Sequence, residues 1–250
     1  MVAGVVSIIL CCCILLFLYR YRSAMVQNAR TSSAQAVSQV SNTVGNYLRD
    51  MEQAMGLVEQ SMEAGPDRRD GLLFTFLKFR PDVAAVTSYS PSGELLECWS
   101  LGREPREHML QNLSFDLQRA RSTDAPYMTP PHVVTMFEGW YPWVVTMTEP
   151  VPQPGGGAAW VSLDLSFSNI SGYINNVSIG QRGYCFLMDR AGDIVYHPQQ
   201  QLLYAGLKAE DTAALAALED GSYADDTVIY SLTSVADSDW RVVGVSYVDE

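Results

Sequence analysis

The chain is poor in the residues that enzymes and metal proteins gather in sets. Its three histidines, His108, His132 and His197, are scattered, with no His-x-x-x-His or Cys-x-x-Cys spacing. No zinc site is therefore expected, and no metal or cofactor of any kind. Of five cysteines, Cys11, Cys12 and Cys13 sit inside one apolar run, where they behave as small apolar residues. Cys98 and Cys185 fall in different halves of the chain, and no disulfide between them is expected. There is no Gly-x-Ser-x-Gly elbow, and Gly155–Gly157 is followed by a strand-like segment without the lysine of a phosphate-binding loop. Basic residues are scarce too: 16 Lys and Arg stand against 28 Asp and Glu, a net charge of −12. With no basic cluster outside Arg20–Arg22, nucleic-acid binding is excluded, because it relies on cations facing phosphates. Paired acids such as Asp225-Asp226 lie in a polar turn and read as a solvated face. These residues predict no catalytic site.

What is present begins with an apolar run, Met1–Tyr19, closed by Arg20, Tyr21 and Arg22. At about 1.5 Å rise per residue, about twenty such residues cross a bilayer core. Residues 1–22 are read as a transmembrane anchor. A cleaved signal peptide is the competing reading, but it lacks a basic leader and has only Ser23-Ala24 as a weak cleavage site. Arg20 and Arg22 favour a cytoplasmic flank by the positive-inside rule, against the outside location indicated below.

From Ser23 to Met62 there is no proline, and residues 23–64 read as a long stalk helix. Val37, Val44, Met51 and Val58 fall seven apart, and Val40, Tyr47 and Ala54 repeat the spacing with an offset of three. That is the seam of a helix packed along its length. The plainer reading lays the helix on its own domain. The favoured one pairs it with a second copy, as a homodimer through the stalk.

One segment occurs twice. Gly183–Pro198 (GYCFLMDRAGDIVYHP) matches Val86–Trp99 (VTSYSPSGELLECW) when Gly192 is laid on Gly93. Each reads as strand, tight glycine turn with an acid, strand. Two copies about a hundred residues apart indicate two versions of one supersecondary plan. Further helices are predicted at Arg68–Phe79, Arg106–Arg121, Ser168–Val177 and Thr212–Leu218. Further strands are predicted at Trp143–Met147, Ala159–Leu165, Thr227–Thr233 and Trp240–Val248. The halves, 65–179 and 180–250, close on similar strands that begin with Trp160 and Trp240. Small antiparallel sheets flanked by helices place the chain in the α+β class.

The runs YMTPPHVVTMFEGWYPWVVTMTEPV, VSLDLSFSNI and RGYCFLMDRAGDIVYHPQQQLLYAGL resemble double Cache domains of bacterial transmembrane receptors, most closely the sensor regions of Firmicutes sensor histidine kinases. The resemblance implies two PAS-like sheet units, 65–179 membrane-distal and 180–250 membrane-proximal, held outside the bacterial cell membrane. It also implies that the chain is the sensing part of a longer receptor, a second span and a kinase following where Val248–Glu250 ends the last strand. A chemoreceptor ectodomain, or a ligand-free protein-interaction or structural module, is the alternative.

For the site, the resemblance implies that Asp164 stands where amino-acid-binding relatives pair an acid with the ligand's ammonium. It sets Tyr127 near the tyrosine of the strand entering that pocket. The stretch matching those relatives' Arg-x-Trp-Tyr run is REPREHMLQ, Arg103–Gln111, which lacks Trp-Tyr, so the carboxylate-holding residues are not carried over. Tyr89, Trp99, Trp140, Tyr141 and Trp143 offer rings suited to a cavity wall, although strand aromatics more often pack in cores. The ligand-binding set is therefore read as Asp164, Tyr127, Trp143, Tyr141, Trp99 and Tyr89. A small molecule, the membrane and a second copy are the expected partners. His197-Pro198 is read as a turn with a structural histidine.

Overall fold

A computed structural model of the chain describes residues 2–106, 120, 127–152, 158–177, 179–225 and 227–248. Helix α1 runs unbroken from Val2 to Met62. It is long and apolar enough to cross a membrane, and Ile9, Leu10, Ile14–Leu18 and Tyr21 at its start are exposed. It ends at Met62, just before Gly65 and Pro66. Pro66 opens α2 (Pro66–Phe79), at a position where a missing N–H breaks no helical bond.

The chain divides into two units, Asn46–Gly172 and Met1–Gly45 with Tyr173–Glu250, so α1 contributes to both. The first holds a sheet of β1 (Val83–Tyr89), β2 (Leu95–Trp99), β3 (Tyr127–Met128), β4 (His132–Val133), β5 (Trp143–Pro152) and β6 (Ala158–Ser166). Its order is β2-β1-β6-β5-β3, with β4 also on β5. After α3 (Phe167–Asn175) the second unit builds β7 (Tyr184–Asp189), β8 (Ile194–Tyr196), β9 (Gly221–Ala224), β10 (Val228–Ser234) and β11 (Trp240–Tyr247). Its order, β8-β7-β11-β10-β9, repeats that of the first sheet. Short helices α4 (Gln200–Tyr204) and α5 (Thr212–Ala216) lie between β8 and β9.

The repeat extends to atoms. Gly93 and Gly192 both have φ 91°, a conformation open to glycine. Gly93 N–H donates to the Ser90 carbonyl and Gly192 N–H to the Asp189 carbonyl. The side chains of the same two residues accept from the next amide, Glu94 N–H to Ser90 Oγ at 3.0 Å and Asp193 N–H to Asp189 Oδ1 at 2.8 Å. The closing strands β6 and β11 take the same central place in their sheets. The helical stretch expected at Arg106–Arg121 falls outside the described residues except for Arg106 and Ala120, as does the loop around Gly155–Gly157.

The stalk requires a correction. Every seam residue, Val37, Val40, Val44, Tyr47, Met51, Ala54 and Val58, is buried within the chain itself. In one unit Ser41 Oγ donates to the Ser234 carbonyl at 2.8 Å. In the other Tyr47 Oη reaches Asp82, and Arg80 binds both Asp82 at 2.8 Å and Asp50 of α1 at 3.2 Å. The seam packs against the chain's own sheets, so it is not the surface through which two stalks would pair. Cys98 and Cys185 are free thiols, each pushed up to about 12 by burial, with Asp164 adding to the shift at Cys98.

In the second unit His197 is fully buried and paired at both ring nitrogens. Nδ1 accepts the Gln199 N–H at 2.9 Å, and Nε2 lies 3.2 Å from Glu210 Oε1. Lys208 and Tyr184 complete this closed network at 2.6 Å.

A candidate ligand cavity in the first unit

Period-two alternation gives the first sheet two unlike faces. Thr146 opposes Asp164 and Thr148 opposes Ser162 across β5 and β6, while Ser162 opposes Thr87 and Asp164 opposes Ala85 across β6 and β1. These residues share one face, and all are buried. The intervening positions, Val145, Met147, Val161, Leu163 and Leu165, form an apolar face on the other side.

The polar face floors a cavity of about 450 Å³, lined from the sheet by Tyr89, Thr146, Ser162 and Asp164. Among the described residues, Tyr127 and the segment Thr129–Met136 line it as well. That segment pairs with β5 through β3 and β4 on either side of Pro130-Pro131. Proline suits such an edge because it carries no N–H to leave unpaired. Thr129 fixes the corner: its N–H donates to the Thr146 carbonyl at 2.9 Å, and its Oγ1 accepts the Thr146 N–H at 3.0 Å.

Asp164 is the charged group of the floor, with 4% of its surface exposed. Its Oδ1 accepts the Thr146 hydroxyl proton at 2.6 Å. Among the described residues nothing pairs with its second oxygen. Burial raises its carboxyl above the ordinary range, while the Thr146 hydrogen bond and the nearby His132 oppose that rise. His132 sits behind Thr146, with Nε2 3.4 Å from Oγ1 and Nδ1 3.1 Å from the Pro130 carbonyl, which can only accept. Burial first, and then the charge of Asp164, push the Tyr89 phenol up, so it enters the cavity wall as an O–H group. An oriented carboxylate, several hydroxyls and apolar walls from Val134 and Met136 suit a small ligand with one cationic group.

Of the six residues read from the sequence, Asp164, Tyr127 and Tyr89 line this cavity, whereas Trp99, Tyr141 and Trp143 do not. Trp99 is buried against α2, its Nε1–H donating to Asp70 at 2.9 Å with the Arg69 guanidinium over its ring. Tyr141, 53% exposed, accepts from Arg106 at 2.9 Å, and Trp143, 41% exposed, pairs across the sheet edge with Val133. Trp140 packs on Phe137 beneath Arg103. Sequence reasoning missed Thr146, Ser162, Thr129 and His132. Thr146-x-Thr148 and Ser162-x-Asp164 place polar residues at every second position of two otherwise apolar runs, which marks a polar face; that these residues meet, and that Thr129 and His132 join them, follows from the strand register.

The sequence profile of the Cache domain family matches residues 21–250. No curated protein matches the chain. Among solved structures, the ligand-binding domain of the amino acid chemoreceptor PctC of Pseudomonas aeruginosa PAO1, in complex with GABA, is similar at 18% identity. The similarity has a TM-score of 0.62 and covers 84% of this chain and 96% of that one. The ligand-binding domain of Campylobacter jejuni chemoreceptor Tlp3 with L-norvaline is similar at 14% identity and TM-score 0.67, over 90% of this chain and 93% of that one. That of Pseudomonas fluorescens chemoreceptor CtaA with L-leucine is similar at 13% identity and TM-score 0.66, over 91% and 98%. At these identities the structures share a fold with the chain. The repeated sheet plan and the match across residues 21–250 place it in a family: the chain belongs to the Cache domain family.

Proposed function

We propose that the chain is the extracytoplasmic sensing domain of a membrane receptor, and that its Asp164 cavity binds a small molecule through a protonated amine. The observation carrying this is the half-paired Asp164, buried on a cavity floor. A carboxylate held there without a cation is costly, and an arriving ammonium removes the cost. The ligands of the three neighbours, GABA, L-norvaline and L-leucine, all carry such an amine. The apolar start of α1 supports anchoring in the membrane, and the resemblance of the sequence supports placing residues 23–250 outside.

Signalling requires a ligand with different affinities for two arrangements. We take α1 as the element that transmits the difference, because it contributes to both units and continues into the apolar segment. Pairing of two copies is assigned to the face of α1 left open by the buried seam. There Leu57 meets Leu72 and Phe79 of α2 around an apolar groove. The sequence runs favour a sensor histidine kinase as the parent. A chemoreceptor is the second reading, favoured by the neighbours being chemoreceptor domains.

A thermal-shift screen of the full chain in detergent, against amines, amino acids, polyamines, organic acids and sugars, tests the proposal. A ligand at about a hundred times its dissociation constant adds about 2.7 kcal/mol to stability. The melting temperature then rises by about 5 °C or more. Amine-bearing compounds are expected among the hits and simple organic acids are not. A folded protein that responds to nothing would favour the protein-interaction or structural reading.

A further inference from the structure

Helix α1 lies very close to β11 in the second unit. A side chain at Gly244 would run into Val37 of the helix, and would stand 2.8 Å from Ile179 Cδ1 and 3.3 Å from Ser33 Oγ. Beside this close approach a cavity of about 310 Å³ opens between the helix and the end of the strand, at the small end of ligand cavities. Its helix wall is Met25, Asn28, Ala29 and Ser32, spaced three and four apart on the stripe next to the buried one that carries Ser33 and Val37. Ile179 and Ser246 face them. Tyr247 also borders the cavity but packs its ring on the other face of the sheet, beside Tyr184 and Tyr230. Ser246 is the group that the fold leaves unsatisfied. It lies two residues beyond Gly244, so it points to the helix side of β11, and it is 4% exposed. Among the described residues its Oγ has no hydrogen-bond partner. A buried hydroxyl in that state is costly, and a ligand hydroxyl removes the cost.

We propose that this cavity is a second binding site, separate from the one over Asp164, and that it takes an uncharged polyhydroxyl group such as a sugar or glycerol. Asn28 and Ser32, both exposed at the rim, add an amide and a second hydroxyl to that of Ser246, a set that both donates and accepts. Met25, Ala29 and Ile179 offer apolar surface to the ligand's C–H groups. Among the described residues no acidic or basic side chain lines the cavity, so a charged ligand would lose its hydration without compensation. A bound polyol bridges α1 and β11, and so tightens the hold of the second sheet on the helix. Met25 stands six residues beyond Tyr19, about 9 Å along the helix from the end of the apolar run. The hydroxyls therefore come either from a free solute or from the sugar headgroup of a membrane lipid. Only the lipid source rests on the anchoring of α1 proposed above.

The test titrates the full chain, in a zwitterionic detergent that carries no sugar, with glucose, myo-inositol and glycerol, and reads binding by saturation-transfer difference NMR. A saturable signal is expected from at least one of the three. Ser246→Ala should weaken it about fivefold, the worth of one hydrogen bond. Ser32→Phe puts a ring into the cavity from an exposed helix position and should abolish the signal. Without ligand, Ser246→Ala is expected to melt no lower than wild type, because it buries no unpaired hydroxyl. Adding glucosyl diacylglycerol to phosphatidylcholine nanodiscs separates the sources: it suppresses the free-sugar signal if a lipid headgroup fills the cavity and leaves it if a solute does. Three results overturn the proposal: no saturable signal from any probe, which would leave water alone in the cavity, a signal unchanged in both variants, or a Ser246→Ala chain that melts well below wild type.

Discussion

Asp164→Asn is expected to raise the melting temperature of the ligand-free chain while removing its response to amines. In the resting protein Asp164 has one firm partner, the Thr146 hydroxyl, and its second oxygen meets no described residue. Asparagine keeps the shape and can still accept from Thr146, but it brings no charge into the interior. The gain should be about 1–3 kcal/mol, the ordinary cost of an incompletely paired buried polar group. For a chain of this size that corresponds to about 2–4 °C per kcal/mol. The pH dependence is diagnostic. Because the folded carboxyl titrates above the unfolded one, wild type loses stability relative to the variant as pH rises from the ordinary carboxylate range through the raised value. The two proteins should therefore converge in acid and diverge toward neutrality. A variant that melts lower than wild type at neutral pH would mean that Asp164 is a structural acid with a hidden partner, and not a group held ready for a ligand cation.

Gly183→Ala is expected to be the most damaging of the conservative glycine substitutions. A methyl group at this position would run into the Ile179 carbonyl oxygen and would approach the Val245 carbonyl oxygen to 2.6 Å. Both obstacles are backbone, one in the bridge that Gly183 makes with Ile179 and the other in β11, so neither can swing aside as a side chain would. The loss should be about 2–3 kcal/mol, in the range of overpacking in a filled interior. Gly71→Ala in α2 is the control: nothing lies near its added methyl group, and alanine favours the helix by about 0.5–1 kcal/mol. Chemical denaturation of both variants checks the pair. Equal effects would show that the close approach at Gly183 does not constrain the second sheet.

Much of the fold was legible because a glycine turn between two apolar runs has few alternatives. Gly93 and Gly192 marked β1-β2 and β7-β8, and Trp160 and Trp240 marked the strands that fill the sheet centres. The elements passed over, β3, β4, β9 and α4, are two to five residues long, too short to show a period. The seam of α1 was correctly located, but the partner favoured for it, a second copy, was not the surface that buries it. Valines spaced by three and four fit a helix against a second helix or against a sheet, and the choice lies in residues far away in sequence. Half of the site was legible for a related reason. Asp164 stood out as an acid in an apolar strand, whereas Thr146 and His132 become site residues only through the register of β5 with β6 and β4. The aromatic reading was the weaker one. Trp99 found Asp70 and Arg69, and Tyr141 found Arg106, partners that no local pattern reveals.

The most direct test of the account is a crystal structure of the chain with the tightest-binding amine from the screen. The account predicts the ligand in the cavity between β5, β6 and the Thr129–Met136 segment, with its nitrogen about 3 Å from the free oxygen of Asp164. A ligand lodged elsewhere, or one that turns its amine away from Asp164, would contradict it.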